Sequence, residues 1–314
     1  MIDYSQRALI ILVSYEYESL QLTLRALNHT LSPEEKVVII LNGRPNYSGA
    51  LVERICREWA TFDQSHRFVV RPLCAGGKAY WAIKEILEEF EPIKKTKYIC
   101  KIDDDIIPLK KNWMNNLANT YESLEESGEN VGFITGLINN NNWGFAELID
   151  IFDKKEEYGQ ISNYKSLAGK DIINEKEIAT GAFGSVWKYP YLAWWLHQWT
   201  SLCPNDFINK TINLGVKEIP ENIHYSIGCI FFEKTFWQQP EIPKEKEEAF
   251  DELMLHQLCI KEKLKKWALM NEPIIHLFYY TQRLPNKDIL SLISKSLSIY
   301  FQDLTFEEVH MTNL

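Results

Sequence analysis

The chain has 314 residues and carries 43 acidic against 34 basic side chains, a formal net charge of −9. With 46% hydrophobic and 25% charged residues, its composition is that of an ordinary globular protein, which excludes a disordered chain and a small disulfide-stapled scaffold. The acid surplus argues against a primary nucleic-acid binder, which needs excess Lys and Arg on one face.

Ala8-Leu-Ile-Ile-Leu-Val13 is a continuous apolar run, as expected of a strand buried on both faces of a parallel sheet. Leu20, Leu24, Leu27 and Leu31 follow at helical spacing. Val37–Leu41 reads as the second strand, closed by the turn pair Asn42-Gly43, and Leu51, Ile55 and Trp59 mark the next helix. Phe68–Pro72 reads as the third strand. After Ala75-Gly-Gly-Lys78, an amphipathic helix carries Ala79, Ala82, Ile83, Ile86, Leu87 and Phe90 on one face. Tyr98–Ile102 is a fourth strand and runs directly into Asp103-Asp104-Asp105. This alternation of strand and helix predicts an α/β fold, an open and mostly parallel sheet flanked by helices.

Val131–Thr135 reads as a fifth strand. The polar tract Asn139–Asn142 and the charged stretch up to Lys176 read as loops. The remainder is less regular: Ala179–Trp187, a tryptophan-rich segment, Gly228–Phe232, and a helix beginning near Asp251. Trp187, Trp194, Trp195, Trp199 and Trp237 serve either the core or an aromatic surface that stacks on a ligand or lies at a membrane interface. In the tail, Leu290, Ile293, Leu297 and Phe301 share a helical face, predicted to dock on the protein itself, with a lipid surface as the alternative. Six scattered cysteines without a C-x-x-C pair read as reduced thiols. The start of the chain has no signal-peptide layout, and no apolar run approaches the ~18 residues of a membrane span. A cytoplasmic protein is expected, peripheral contact with the inner face of the membrane remaining open.

In sheets of this kind ligands bind beyond the carboxyl ends of the strands, where Ser14, Asn42, Ala75–Lys78 and the Asp triplet all fall. Asp103 and Asp105 alternate along the strand end and so share a face. Two convergent carboxylates suit a hard cation such as Mg²⁺ or Mn²⁺, which completes its shell with phosphate oxygens. An aspartyl phosphatase would want Thr at Ile107, and a calcium loop would want polar ligands and Gly across Ile106–Leu109. Gly76-Gly77-Lys78 lacks the first Gly of a Walker A loop and has Ala79 where Ser or Thr should follow. The glycine pair either permits close approach of backbone to a ligand or forms an ordinary turn.

Together, Ile11-Leu-Val-Ser-Tyr15, Val38-Ile-Ile-Leu-Asn-Gly43, Ala75-Gly-Gly-Lys-Ala-Tyr-Trp-Ala82 and Lys101-Ile-Asp-Asp-Asp105 resemble the nucleotide-sugar half of GT-A glycosyltransferases, especially glycosyltransferase family 2. The resemblance covers about the first 110 residues, with weaker matches to Arg283. It implies a GT-A, Rossmann-like sheet with a less regular acceptor-side half. Residues 1–136 would bind the nucleotide sugar, 137–285 would bind the acceptor and supply catalysis, and 286–314 would form a helical tail. By the same resemblance, Asp105 and Asp103 hold a metal, Mn²⁺ or Mg²⁺, and the donor diphosphate. Ser14, Tyr15, Asn42, Gly76, Gly77, Lys78, Asp103 and Asp104 would border the donor.

Gly228–Trp237 resembles the family's Gly-rich strand beside the acceptor, with Ala179–Trp187 as a competing match. Asp251-Glu-Leu-Met-Leu255 resembles the Glu-Asp-x-x-Leu element whose second acid is the catalytic base. Glu252 takes that place, in reversed acid order, and Asp251 is the alternative. In the first turn of a helix the dipole favours the ionised form that accepts a proton. His276 lies in an apolar run, where it either completes the metal shell or is a hydrogen-bonded core histidine; carboxylate with imidazole suits Mn²⁺. No spacing singles out His197, His224 or His256.

These features lead to the expectation of a metal-dependent, inverting transferase. It would move a sugar from a nucleotide-diphosphate donor, UDP-linked, to a glycan or lipid-linked glycan, as in bacterial surface polysaccharide or lipooligosaccharide synthesis. A sugar-phosphate nucleotidyltransferase would want a basic, Gly-rich loop after the first strand, unlike Ser14–Glu18. A glycan-binding protein on a degenerate GT-A fold is the non-enzymatic alternative.

Overall fold

The computed structural model describes residues 3–14, 16–43, 47–61, 63, 65–162, 186, 190–240, 250–278, 282 and 286–302. Arg7–Val13 (β1) is followed by Tyr17–Thr30 (α1), Val37–Leu41 (β2), Tyr47–Ala60 (α2), Arg67–Val70 (β3), Ala79–Glu89 (α3), the single turn Glu91–Lys94 (α4) and Tyr98–Asp103 (β4). Every residue of β1 and β2 is buried, because helices cover both sheet faces and leave no strand side for water. β1 pairs in parallel with β2 and β4, and β2 in parallel with β3. This is the α/β layout expected, and it sends the ends of β1, β2 and β4 to one edge.

Ile106–Pro108 (β5), Trp113–Glu126 (α5), Val131–Ile138 (β6), Asn142–Ile151 (α6), Lys155–Ser162 (α7), Pro190–Trp199 (α8), Pro204–Thr211 (α9), Val216–Ile219 (β7) and Cys229–Glu233 (β8) come next. Lys234–Gln238 (α10), Asp251–Glu262 (α11), Lys265–His276 (β9) and Lys287–Tyr300 (α12) follow. Among the described residues, one nine-stranded sheet runs β3-β2-β1-β4-β8-β6-β9-β5, with β7 pairing β9. β8 lies antiparallel between β4 and β6. β9 runs parallel to β6, so its C-terminal His276 returns to the edge where β4 ends.

Asn139–Asn141 are irregular, as expected, but residues 142–162 are largely helical where a loop was expected. Asn141 accepts from the backbone N–H groups of Trp143 (3.1 Å) and Gly144 (3.4 Å) and so caps α6, which buries Trp143, Phe145, Leu148 and Ile149. α7 follows at once. Residues 163–176 lie outside the described residues, as do Tyr15 and all of Ala179–Trp187 except Val186.

Trp195, Trp199 and Trp237 are core, while Trp194 is partly exposed and stacks on Tyr191. α12 buries Ile289, Ile293 and Leu297; Tyr300 donates to Leu109 O at 2.7 Å and Phe301 stacks on His29. The tail helix therefore docks on the protein. All six cysteines are free thiols. Among the described residues no helix is long and apolar enough to cross a membrane.

Candidate functional site

The end of β4 divides its three aspartates among three tasks. Asp104 is buried, its Oδ2 accepting from Ser14 N (2.8 Å) and its carbonyl from Thr23 Oγ1 (3.0 Å). It ties β4 to the end of β1 and to α1. Asp103 keeps one third of its side chain exposed, and Asp105, buried, faces His276. The alternation expected of the strand end thus places Asp103 and Asp105 on the side of His276 and Asp104 into the scaffold.

His276 Nε2 lies 3.4 Å from Asp105 Oδ2, and its Nδ1 is 3.1 Å from Asn140 O. A carbonyl can only accept, so Nδ1 carries a proton and Nε2 is the atom turned to the carboxylate. Burial disfavours the imidazolium, but Asp105 and Asp103 outweigh it and raise the pKa above the usual imidazole range. Two groups with lone pairs this close call for a proton or a metal cation between them, and an imidazole whose far nitrogen donates to a carbonyl is dressed as metal ligands commonly are. Among the described residues no group of three or more His, Cys, Asp or Glu side chains gathers to hold a metal. The fit is with a carboxylate and imidazole pair whose remaining positions other oxygens would fill.

The asparagine tract, read from sequence as a loop, supports this pair. Asn139 Oδ1 accepts from His276 N at 2.9 Å, and its Nδ2 donates to Thr200 (2.9 Å) and Ser201 (3.1 Å). Asn140 and Gln282 bond to each other, all within the interior.

Asn42, expected beside the nucleotide base, is buried, and its amide braces the glycine loop: Oδ1 accepts from Gly76 N and Nδ2 donates to Gly77 O, both at 3.3 Å. Gly76 has φ +85°, which a residue with a Cβ adopts only under strain. The loop so held presents Lys78 at the start of α3, with its ammonium 3.6 Å from the Phe250 ring centroid. Since Phe250 caps α11, this contact joins the glycine loop to the helix that carries Asp251 and Glu252.

Lys101 is the site residue that sequence reading passed over. Its side chain is buried and its Nζ donates to Asp103 Oδ1 (2.7 Å) and Ile227 O (3.0 Å). Burial alone would depress its pKa; Asp103, Asp251 and Glu252 reverse this and hold it above the ordinary lysine value. Desolvation raises Asp251, partly offset by Lys101 and reinforced by Asp103. Asp103 is likewise raised by desolvation, with Lys101 opposing and Asp105 adding. Desolvation also raises Glu252, whose Oε1 is 3.2 Å from His224 Nε2.

The two acidic motifs, separated by about 150 residues of sequence, therefore share one electrostatic cluster around a buried ammonium. β8 enters at the same place: Gly228 O accepts from Asp103 N at 2.9 Å. A Cβ on Gly228 would lie 3.2 Å from Ile106 Cδ1 and 3.6 Å from Asp103 Oδ2.

No family model matches the chain, and no curated protein matches it. Among solved structures it is similar to mannosyltransferase PcManGT from Pyrobaculum calidifontis in complex with GDP-Man and Mn²⁺, at 18% identity and TM-score 0.32, over 42% of this chain and 35% of that one. It is also similar to S. aureus TarS 1–349, at 11% identity and TM-score 0.43, over 93% of this chain and 65% of that one. The same TarS segment in complex with UDP matches at 10% identity and TM-score 0.43, with the same coverage. The chain thus spans between 35% and 65% of the length of these solved chains.

Proposed function

We propose that this chain is a metal-dependent, inverting glycosyltransferase that moves a sugar from a nucleotide-diphosphate donor, UDP-linked, to a hydroxyl of a glycan or lipid-linked glycan. The observation that carries the reading is the gathering of Asp103, Asp251 and Glu252 around Lys101, next to the Asp105–His276 pair, at the strand ends where a doubly wound sheet binds its ligand. A binding module gains nothing from carboxylates desolvated beside one another, whereas a transferase needs a base with a raised pKa near a cation site.

In this reading Asp105 and His276, with Asp103 at the opening, would hold Mn²⁺ or Mg²⁺, which supplies neutralising charge for the departing diphosphate. The loop Gly76–Lys78 borders the donor, and Lys78 can leave Phe250 for a phosphate oxygen. Ser14 and Asp104 hold the floor on which the nucleotide rests, and Asn42 acts through the loop it braces. Glu252 accepts the proton of the attacking hydroxyl, with Asp251 as the alternative base on the same helix turn. Lys101 stabilises the ionised acids between turnovers.

The test is a thermal-shift screen of UDP-, GDP-, dTDP- and CMP-sugars with and without Mn²⁺, since a ligand bound only by the folded state raises its stability by mass action. A Mn²⁺-dependent rise with UDP-sugars that Asp105→Ala removes, followed by nucleotide release that Glu252→Gln abolishes, is expected. Full activity in both variants would overturn the reading.

A further inference from the structure

Glu252 does not stand alone in its half of the cluster. His224, whose Nε2 is 3.2 Å from Glu252 Oε1, lies flat against His256, with ring centroids 4.9 Å apart and planes 8° from parallel. His256 sits four residues after Glu252 on α11, hence on the same helix face.

The segment between β7 and β8 that carries His224 has no strand ladder of its own. It is pinned instead by buried polar groups on both sides. Lys266, buried on β9, donates through Nζ to Glu221 O at 3.0 Å and to Ile223 O. Ser226 O accepts from Asn141 Nδ2 (3.1 Å) and Ile227 O from Lys101 Nζ (3.0 Å). Burying an ammonium to hold main chain is costly, and two lysines do so on either side of this one imidazole. His224 Nε2, Glu252 Oε1 and His256 Nδ1 are buried atoms that complete no well-angled hydrogen bond. Catalytic contacts commonly have this form before substrate arrives and tighten with it.

We propose that His224 is the positioning residue of the transfer reaction, orienting the Glu252 carboxylate toward the acceptor hydroxyl. The proposal rests on the reading of Glu252 as base. In the step it serves, the acceptor oxygen bonds to the anomeric carbon, the anomeric C–O bond breaks with its electron pair leaving on the diphosphate, and the hydroxyl proton passes to Glu252. The charged or titratable groups facing this pair are Asp251 on α11, Lys101 on β4, His256 on α11 and Lys266 on β9. Burial, with Lys266 and His224 adding, pushes His256 down to about 4, so it serves as a neutral ring against which His224 is stacked.

The experiment measures nucleotide release with Mn²⁺ and water as acceptor, using whichever of UDP-glucose, UDP-galactose and UDP-N-acetylglucosamine gives the largest thermal shift. Wild type, His224→Ala, His224→Gln and Glu252→Gln are compared from pH 5 to 9, with circular dichroism reporting the folded fraction. His224→Ala is expected to lower kcat roughly tenfold or more, to leave donor KM unchanged, and to move the acid limb of the kcat profile upward, because the imidazole that favours the ionised Glu252 is gone. His224→Gln, close in shape and able to donate to the carboxylate, should recover part of the rate, and it decides the matter if His224→Ala does not fold. An unmoved pH profile, with kcat falling only as the folded fraction falls, would overturn the proposal and leave His224 a structural residue. Full release by Glu252→Gln would instead sink the reading of the base on which it stands.

Discussion

Lys101 Nζ stands 2.7 Å from Asp103 Oδ1 near the end of β4, within the field of Asp251 on the opposing helix. Lys101→Met keeps most of the volume and removes the charge, leaving desolvated acids without their counter-ion. The expected loss is about 3 kcal/mol in urea denaturation at pH 7. In the variant the folded state holds protons on these acids more tightly than the unfolded chain does, so its deficit relative to wild type should narrow as pH falls toward 5. A variant as stable as wild type at pH 7 would show that the ammonium does not serve the acids.

Neighbouring aspartates should separate cleanly. Asp104→Ala removes the acceptor for Ser14 N and leaves that amide without its partner, a cost of about 1–3 kcal/mol. Asp105→Asn keeps the size of the side chain but is expected to lose the Mn²⁺-dependent thermal shift. Calorimetric titration of Mn²⁺ with UDP into both variants checks the pair, and metal-dependent binding that survives in Asp105→Asn would exclude Asp105 as a ligand.

His197 supports the strand end from behind. It is wholly buried, its Nε2 donates to Leu277 O at 2.9 Å, and its Nδ1 accepts from Ser201 Oγ at 2.6 Å. Burial pushes it down to about 4, against ~6.5 in an unfolded chain. Between these values the unfolded state binds a proton that the folded state does not, so stability is level above pH 6.5 and falls as pH drops toward 4. The loss from this residue is about 3 kcal/mol, and His256 adds to it in the same direction. Thermal unfolding between pH 7 and 4.5 should show the decline, and His197→Gln should flatten it while lowering stability throughout.

Gly76→Ala tests the proposal that the Gly76–Lys78 loop borders the donor. At φ +85° a Cβ costs about 1 kcal/mol or more. Relieving that strain would pull the loop from Asn42. The variant is expected to fold, with its UDP-dependent thermal shift reduced; an undiminished shift would remove the loop from the donor site.

The parallel half of the fold was legible because strands covered on both faces must be apolar throughout, which makes runs such as Ala8–Val13 and Val37–Leu41 conspicuous. β9 was harder to read. Lys265, Lys266, Asn271, Glu272 and Pro273 interrupt its apolar pattern, and the hydrogen-bond and ion-pair partners of Lys266 and Glu272 come from distant segments. The burial of Asn139–Asn141 was hidden for the same reason, since amides that satisfy one another in the interior are indistinguishable in sequence from amides in water. Lys101 carried a usable signal: a charged residue inside a buried strand must find a counter-charge, and three aspartates follow closely. The link between Glu252 and His256 was also within reach as a four-residue helix spacing, but His224 joins them only through the fold.

The antiparallel insertion of β8 between β4 and β6 has a consequence for how the molecule comes into being. Strand β4 is made more than a hundred residues before its neighbour, so an emerging chain carries an open parallel half-sheet with an unpaired, strongly apolar border. Such borders recruit other chains, and pairings this distant in sequence form slowly. A fragment ending near residue 136 should therefore aggregate rather than fold into a nucleotide-binding module, and synthesis of the whole chain should be most vulnerable, and most dependent on chaperones, in the interval before Cys229–Glu233 is released to close the gap.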